Sequence, residues 1–455
     1  MTEQDSIPDG LPVRQRIPAV IALLFCIAAS SINITLINIA LPVIASELHV
    51  GANKIIYVVS SYQLTLVLFL LVVSSLGDSF GYKRVFLTGT AVFTAASLGC
   101  AFSSSLPTLI FWRIVQGFGA TAIQGSYFSL MTLIYPQRQL GRGIGLSAMT
   151  FSLTAIAGPP LAAGILAVAP WHWLFIINVP FGIIALILGG RYFPANVVNV
   201  PKMSIAVGDV ALHIIVFGLF FFATSGWSHQ PQQWGINTVL SVLCVITSIV
   251  YVRKQYGKQT PFLPIDLLRQ GAFGFPIIFT ILGFSSLLTA IVAVPFIFQS
   301  RFDYTASQTG LLLTVMTGMS VVASIMAGYG LERIKPIYLC GAGFAVFAVG
   351  TLSFAFLPEQ VAAFDLIWRL GLLGIGSGLI QPANNFMAIN AVPATRKGAA
   401  NGTLSTSMMF GQILGMVVVS AVFSLTGSEA TLYPIYLSGI IAIIAVGVVF
   451  SRLKV

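Results

Sequence analysis

Leu76-Gly77-Asp78-Ser79-Phe80-Gly81-Tyr82-Lys83-Arg84 breaks an otherwise apolar run with an acid, two glycines and two cations. An interrupted backbone that carries charge has no place in the hydrocarbon of a bilayer, where every peptide group needs a partner and every charge costs several kcal/mol. The stretch therefore marks a membrane surface. It predicts a hydrophobic helix that ends before Asp78 and a second that begins after Arg84, and it orients everything else in the chain.

Composition agrees. Of 455 residues, 57% are hydrophobic and only 7% charged, against about 25% charged in a soluble domain. Such a chain cannot cover a water-facing surface, so the class is an all-α polytopic membrane protein. The net charge of +10 would suit nucleic acid, but the cations are spread by topology, as follows. The four cysteines, Cys26, Cys100, Cys244 and Cys340, are scattered through apolar stretches. Their spacing suits neither a disulfide framework nor a metal site, and they read as small core residues.

Uncharged stretches recur in lengths that hold one or two spans of about 20 residues. The first, 17–46, is too long for a signal-peptide core and reads as a retained span. Others follow at 55–77, 85–103 and 108–134. The stretch 143–190 folds back at Pro170-Trp171-His172-Trp173, and 210–252 folds back at 225–235. Six more lie at 271–299, 308–329, 336–357, 363–390, 399–424 and 432–451. The expected total is fourteen, with both termini cytoplasmic. Lys and Arg test this: 18 of 22 fall on the cytoplasmic side, Lys54 and Arg301 fall outside, and Arg113 and Arg369 lie within spans.

The chain also repeats itself. Trp112-Arg113 in span 4 matches Trp368-Arg369 in span 12, each followed by a glycine series. Arg142-Gly143-Ile144-Gly145-Leu146-Ser147 resembles the run 398–405, and 330–335 is a worn counterpart of the opening stretch. The expected organisation is a six-helix bundle in 1–190, two inserted spans with their flanks in 191–270, and a second six-helix bundle in 271–455. Parallel repeats of this kind suggest alternating access to a central site.

Candidate functional residues are the polar groups inside spans. Arg113, Gln116, Gln124 and Tyr127 form one stripe on span 4, and a stripe on an apolar helix must face protein or water. Asn38 shares a face of span 1 with Ser31 and Thr35, and Asn33 points the other way. Gln381, Asn384 and Asn385 form a polar side of span 12. Gly158-Pro159-Pro160 should bend span 5 and let helices approach. Asp365 stands four residues before Arg369, a spacing that favours an ion pair. Asp209 and His213 share that spacing at the cytoplasmic end of span 7 and read as an interfacial pair. Enzyme motifs are absent: there is no HExxH, GxSxG or phosphate loop, and Gly374-Ile375-Gly376-Ser377-Gly378 lies within a span, where helix packing explains it.

Several of these stretches resemble the signatures of the major facilitator superfamily, and in particular its fourteen-span drug:proton antiporters, the bacterial efflux pumps for quaternary ammonium and other cationic biocides. The opening stretch resembles their loop G-x-L-x-D-R-x-G-R-K/R, with Asp78, Gly81, Lys83 and Arg84 in place and Ser74, Ser79 and Tyr82 departing. Residues 33–42 resemble D-x-T-x-x-N-x-A-L-P. Residues 113–120 resemble R-x-x-Q-G-x-G-A, 158–163 resemble G-P-x-x-G-G, and 171–180 resemble W-R-W-x-F-x-x-N-x-P. The resemblance implies a proton-driven exporter of amphipathic cationic molecules in the bacterial inner membrane. The cargo pathway would involve Asn33, Asn38, Arg113, Gln116, Gln124, Tyr127, Gln381, Asn384 and Asn385. A gate would lie at Asp78, Gly81, Lys83 and Arg84. It would act as a monomer, with no enzyme activity, cofactor, metal or nucleic-acid partner.

One departure matters. The acid that this family carries in span 1 is Asn33 here, and an amide cannot titrate. No other acid falls at mid-membrane, so Asp365 with Arg369 is the candidate for proton coupling. The alternative is an exporter or facilitator of anionic or neutral metabolites.

Overall fold

The computed structural model describes residues 10–136, 139–194, 207–229, 234–256, 268, 271–331, 333–357, 361–392, 397–426 and 431–453. They form α1 (Val13–Glu47), α2 (Ala52–Ile55), α3 (Tyr57–Phe80), α4 (Tyr82–Ala101), α5 (Leu106–Ile134), α6 (Leu140–Val168), α7 (Trp173–Ile176) and α8 (Asn178–Tyr192). These are followed by α9 (Val207–His229), α10 (Trp234–Gln255), α11 (Gly271–Arg301), α12 (Ala306–Gly330), α13 (Pro336–Leu352), α14 (Ala363–Asn390), α15 (Lys397–Thr426) and α16 (Tyr433–Leu453). Helix is the form these sequences must take in lipid, because it satisfies the backbone within each segment. Local signals set the starts. Ser105 with Thr108, and Thr305 with Gln308, form capping boxes on α5 and α12.

Twelve stretches of the described residues are long and apolar enough to cross a membrane. Two further apolar stretches, Ala157–Val168 in α6 and Gly208–Ala223 in α9, are shorter than that criterion and stand where the fifth and seventh spans were expected. The fold-back expected at 225–235 falls partly outside the described residues, as do the flanks 195–206 and 257–267.

The decisive stretch is tighter than its sequence suggests. Helix α3 runs through Asp78 to Phe80 and α4 starts at Tyr82, so the expected break on both sides of the charges is one residue, Gly81. Its φ of 95° lies in the left-handed region that glycine enters without a Cβ clash. The charges need no loop because they sit in the end turns of two helices. The Asp78 side chain lies outside the described residues. Lys83 donates from Nζ to the Phe193 carbonyl at 2.9 Å, and Arg84 is exposed.

The repeat is visible in the packing. In the first set of helices α3 and α4 pack on α5, α6 and α8 pack on α1, and α4 packs on α8. In the second set α12 and α13 pack on α14, α15 and α16 on α11, and α13 on α16. The glycine series serve the same purpose in both. A Cβ on Gly117 would meet α3 and one on Gly119 would meet α4; one on Gly374 would meet α12 and one on Gly376 would meet α13. Even the turns agree: His49 and Asp303, each two residues beyond the end of α1 or α11, have φ of 54° and 55°.

The two sets meet along α6 with α12, α3 with α15, and α1 with α11. Hydrogen bonds tie them at the end that carries the α1–α2 and α11–α12 turns. Ser307 Oγ donates to the Ala163 carbonyl at 2.9 Å, Ser420 Oγ to the Asn53 carbonyl at 3.4 Å, and Gln299 Nε2 to the Ile39 carbonyl at 3.5 Å. Helices α9 and α10 pair with each other, and α9 lies across one seam only, against α3 and α15.

Candidate functional site

A cavity of roughly 240 Å³ lies between the two helix sets. Helices α1, α6, α11, α12, α14 and α15 all line it. Its polar groups are Thr35, Asn38, Thr317, Ser320, Ser377 and Gln412, the rest of the lining is apolar, and among the described residues none that lines it is charged. A smaller cleft of about 20 Å³ adjoins it through Ser377 and holds Gln381, Asn384 and Asn385. Asn384 Nδ2 donates to Thr280 Oγ1 at 2.7 Å, and its Oδ1 has no partner. The walls meet closely. A Cβ on Gly158 would come within 2.8 Å of Thr35, and Pro159, the next residue of α6, reaches the cavity itself.

Arg113 does not line this cavity. Its side chain is fully buried inside the first helix set. Its Nε donates to the Val58 carbonyl at 2.9 Å, and one terminal nitrogen donates to Asn33 Oδ1 and to Gln116 Oε1, both at 2.6 Å. Gln116 passes the chain on, from Nε2 to Ser97 Oγ at 2.8 Å. The guanidinium carbon stands 4.3 Å from the centre of the Tyr62 ring, a cation–π contact. Four helices, α1, α3, α4 and α5, thus meet on one cation, with no carboxylate in the network. The other terminal nitrogen of Arg113, Asn33 Nδ2 and the Tyr62 hydroxyl have no hydrogen-bond partner. The stripe expected to face a cavity from Arg113 through Tyr127 therefore divides. Arg113 and Gln116 are consumed by interhelical bonds, while Gln124 and Tyr127 are half-buried elsewhere. Burying a cation away from water demands those acceptors, which explains the difference.

Arg369, its counterpart in the repeat, is held differently. Its nitrogens donate to the carbonyls of Ser353, Asp365 and Phe356 at 3.1, 2.6 and 3.1 Å, and one stands 3.3 Å from Asp365 Oδ1. Asp365 is partly exposed and also accepts from the Ala362 backbone N–H at 3.3 Å, at the N-terminus of α14.

Comparison with known families settles the class. The family model described as Major Facilitator Superfamily matches residues 23–364 and 277–454. The chain belongs to this superfamily. It is 37% identical over 437 residues to the "Uncharacterized transporter YebQ" of Escherichia coli K12, covering 96% of this chain and 95% of that one. It is 27% identical over 406 residues to the "Multidrug resistance protein Stp" of Mycobacterium tuberculosis H37Rv, covering 88% and 74%. Its fold superposes on a POT family peptide transporter described as auto-inhibited, with a TM-score of 0.69, 18% identity and 96% of each chain covered.

This superfamily member is a multi-pass membrane transporter of small molecules and not an enzyme. Its inter-bundle cavity has the position that a pathway between two repeats requires. Of the residues singled out in the sequence, Asn38, Pro159, Gln381, Asn384 and Asn385 line the cavity or its cleft. Asn33, Arg113 and Gln116 support the bundle behind it; Gly158 packs α6 on Thr35 of α1, and Pro160 follows within α6. Thr317, Ser320 and Gln412 were missed. Single polar residues in apolar helices were their only signal, and no motif surrounds them.

Proposed function

We propose that the protein is an exporter of amphipathic small molecules that works by proton antiport through alternating access, as a monomer in the bacterial inner membrane. The observation that carries this reading is the cavity between the bundles, apolar with scattered hydroxyl and amide groups and without charge. Such a lining binds by area and shape, tolerates varied cargo and orients it with a few hydrogen bonds. The named activity of the Stp relative, multidrug resistance, supports the same reading. With Lys and Arg assigned to the cytoplasmic side, both termini and the turn at Gly81 face the cytoplasm, and the end tied by Ser307 and Ser420 is extracytoplasmic. The structure then represents an inward-facing stage, with 1–190 and 271–455 as the rocking units.

The charge of the cargo follows from the lining. A localised cation leaving water would need a carboxylate, and among the described residues none lines the cavity. Uncharged amphipaths are therefore the preferred cargo, and cations with delocalised charge are carried less well. The test is transport by the purified full chain in liposomes with an imposed pH gradient. Uncharged Nile red, cationic ethidium and anionic carboxyfluorescein would be compared. Faster Nile red movement with the gradient than without it is expected. Movement of all three at the rate of empty liposomes would defeat the exporter reading, and export that ignores the gradient would defeat antiport.

A further inference from the structure

The chain has twelve acids, yet its spans offer few proton sites: Asn33 cannot titrate, and Asp365 is committed to Arg369 and a helix terminus. The inserted pair α9–α10 holds a buried titratable group of another kind. His213 is fully buried and lies against α3. Its Nε2 is 3.2 Å from the Val67 carbonyl of α3, and its Nδ1 is 3.2 Å from the Tyr251 hydroxyl of α10. A carbonyl only accepts, so Nε2 carries the hydrogen and Nδ1 of the neutral ring accepts from Tyr251. One turn earlier Asp209, also buried, stands 3.4 Å from Lys254, whose side chain is 46% exposed. Two rungs therefore join α9 to α10, and the outer rung reaches the surface.

We infer that His213 is a proton-binding site of this transporter and that its protonation is coupled to the movement of α3. The inference rests on the antiport reading and deepens it by naming where the proton is held. The position of α9 is the reason. It packs on α3 of the first bundle and α15 of the second, so rocking of one bundle against the other must be felt at His213. Proton uptake at Nδ1 makes that atom a donor, and Tyr251 must turn its lone pair to receive it. The Nε2–H bond to Val67 becomes charge-assisted, about twice as strong as the neutral one. A conformation that draws α3 away removes that acceptor and lowers proton affinity, because linkage works in both directions.

The surroundings supply the charge balance. From α9, Asp209 is the one carboxylate between Val207 and His229. From α10, Tyr251 and Lys254 face the site, and the remaining cation, Arg253, is exposed. From α3 come the Val67 carbonyl and, further along, Tyr57, whose ring packs on Phe221. Helix α15 offers no titratable group among its described side chains. The imidazole ring also lies 4.6 Å from the Phe217 ring, centre to centre. Asp209 thus provides the negative charge that a buried imidazolium requires, one turn away.

The first arm of the test needs neither cargo nor gradient. Spin labels at Phe80→Cys and Tyr329→Cys, exposed positions at equivalent ends of α3 and α12, report the separation of the bundles. Cys244, the one half-buried cysteine, is replaced by Ser. In the labelled full chain, acidification is expected to move the distance distribution towards its longer population, the inward-facing one that keeps Val67 against His213, with the slope of a single proton. His213→Gln, which keeps a donor to Val67 but cannot titrate, should abolish the shift. Tyr251→Phe should retain it with the midpoint displaced by about one pH unit. A shift that survives in His213→Gln, or is missing in the parent, overturns the inference. Should His213→Gln fail to fold, an unmoved midpoint in Tyr251→Phe overturns it instead. In liposomes His213→Gln should lose gradient stimulation of Nile red export. A parent that ignores the gradient while its labels respond would refute antiport and leave the proton site standing.

Discussion

Arg113 and Arg369 occupy matching places in a repeated structure, yet one has a counter-ion and the other has none. Arg369 is buried at a helix start with Asp365 and three backbone carbonyls around it. Arg113 is buried in the middle of its bundle with one carbonyl, two amides and an aromatic face. The repeat preserved the cation and the fork geometry that binds several acceptors at once, while the acid was placed in only one copy. The difference teaches that a buried arginine in a span can serve as a helix junction without an ion pair, provided that neutral acceptors converge on it. It also separates joining helices from carrying protons, since nothing in the Arg113 network other than the arginine and the Tyr62 phenol can titrate.

The sharpest way to break the comparison is to keep the charge and remove the fork. Arg113→Lys should lose the bond to Val58 and one of the two amide contacts. At about 1.5–3 kcal/mol for each hydrogen bond to a charged group, this should lower liposome transport more than tenfold. Arg369→Lys, which retains Asp365 within reach, should lose less. Equal losses would show that the counter-ion is irrelevant to how the two arginines work.

Asn33→Asp adds the missing acid, 2.6 Å from a nitrogen that already carries the charge. The burial of Arg113 is already complete, so the new carboxylate should raise the melting temperature by a few degrees, consistent with about 1 kcal/mol or more. A lowered melting temperature would mean that desolvation of the carboxylate outweighs its attraction to Arg113.

Asp365→Asn should have the smallest effect. Arg369 keeps its three carbonyls, and a partly exposed pair contributes about 1 kcal/mol or less. Gradient-driven export should persist in this variant; its loss would return the coupling proton to Asp365 and take it from His213.

Much of this fold was legible in the sequence, because lipid turns composition into a boundary condition. Uncharged stretches located the helices, and the Trp-Arg-glycine repeat marked α5 and α14 as counterparts of one another. Gly81 was legible as a turn, but not as a turn of one residue, since charge at a helix end looks the same in sequence as charge in a loop. The site was less readable. A periodic stripe shows that Arg113 and Gln116 share a face, and cannot show whether that face meets a cavity or the side chains of three other helices. The burial of His213 was unreadable for a related reason. Its position near the start of α9 shows nothing of the crossing of α9 over α3 that encloses it.

The central claim is that cargo passes through an uncharged cavity between the bundles, and it can be tested by charging that cavity. Thr317 lines it from α12. In liposomes under a fixed pH gradient, Thr317→Asp is expected to reverse the order of export, with ethidium overtaking Nile red. An order unchanged from the parent, in a variant that folds and still transports, would place the pathway elsewhere and contradict the account.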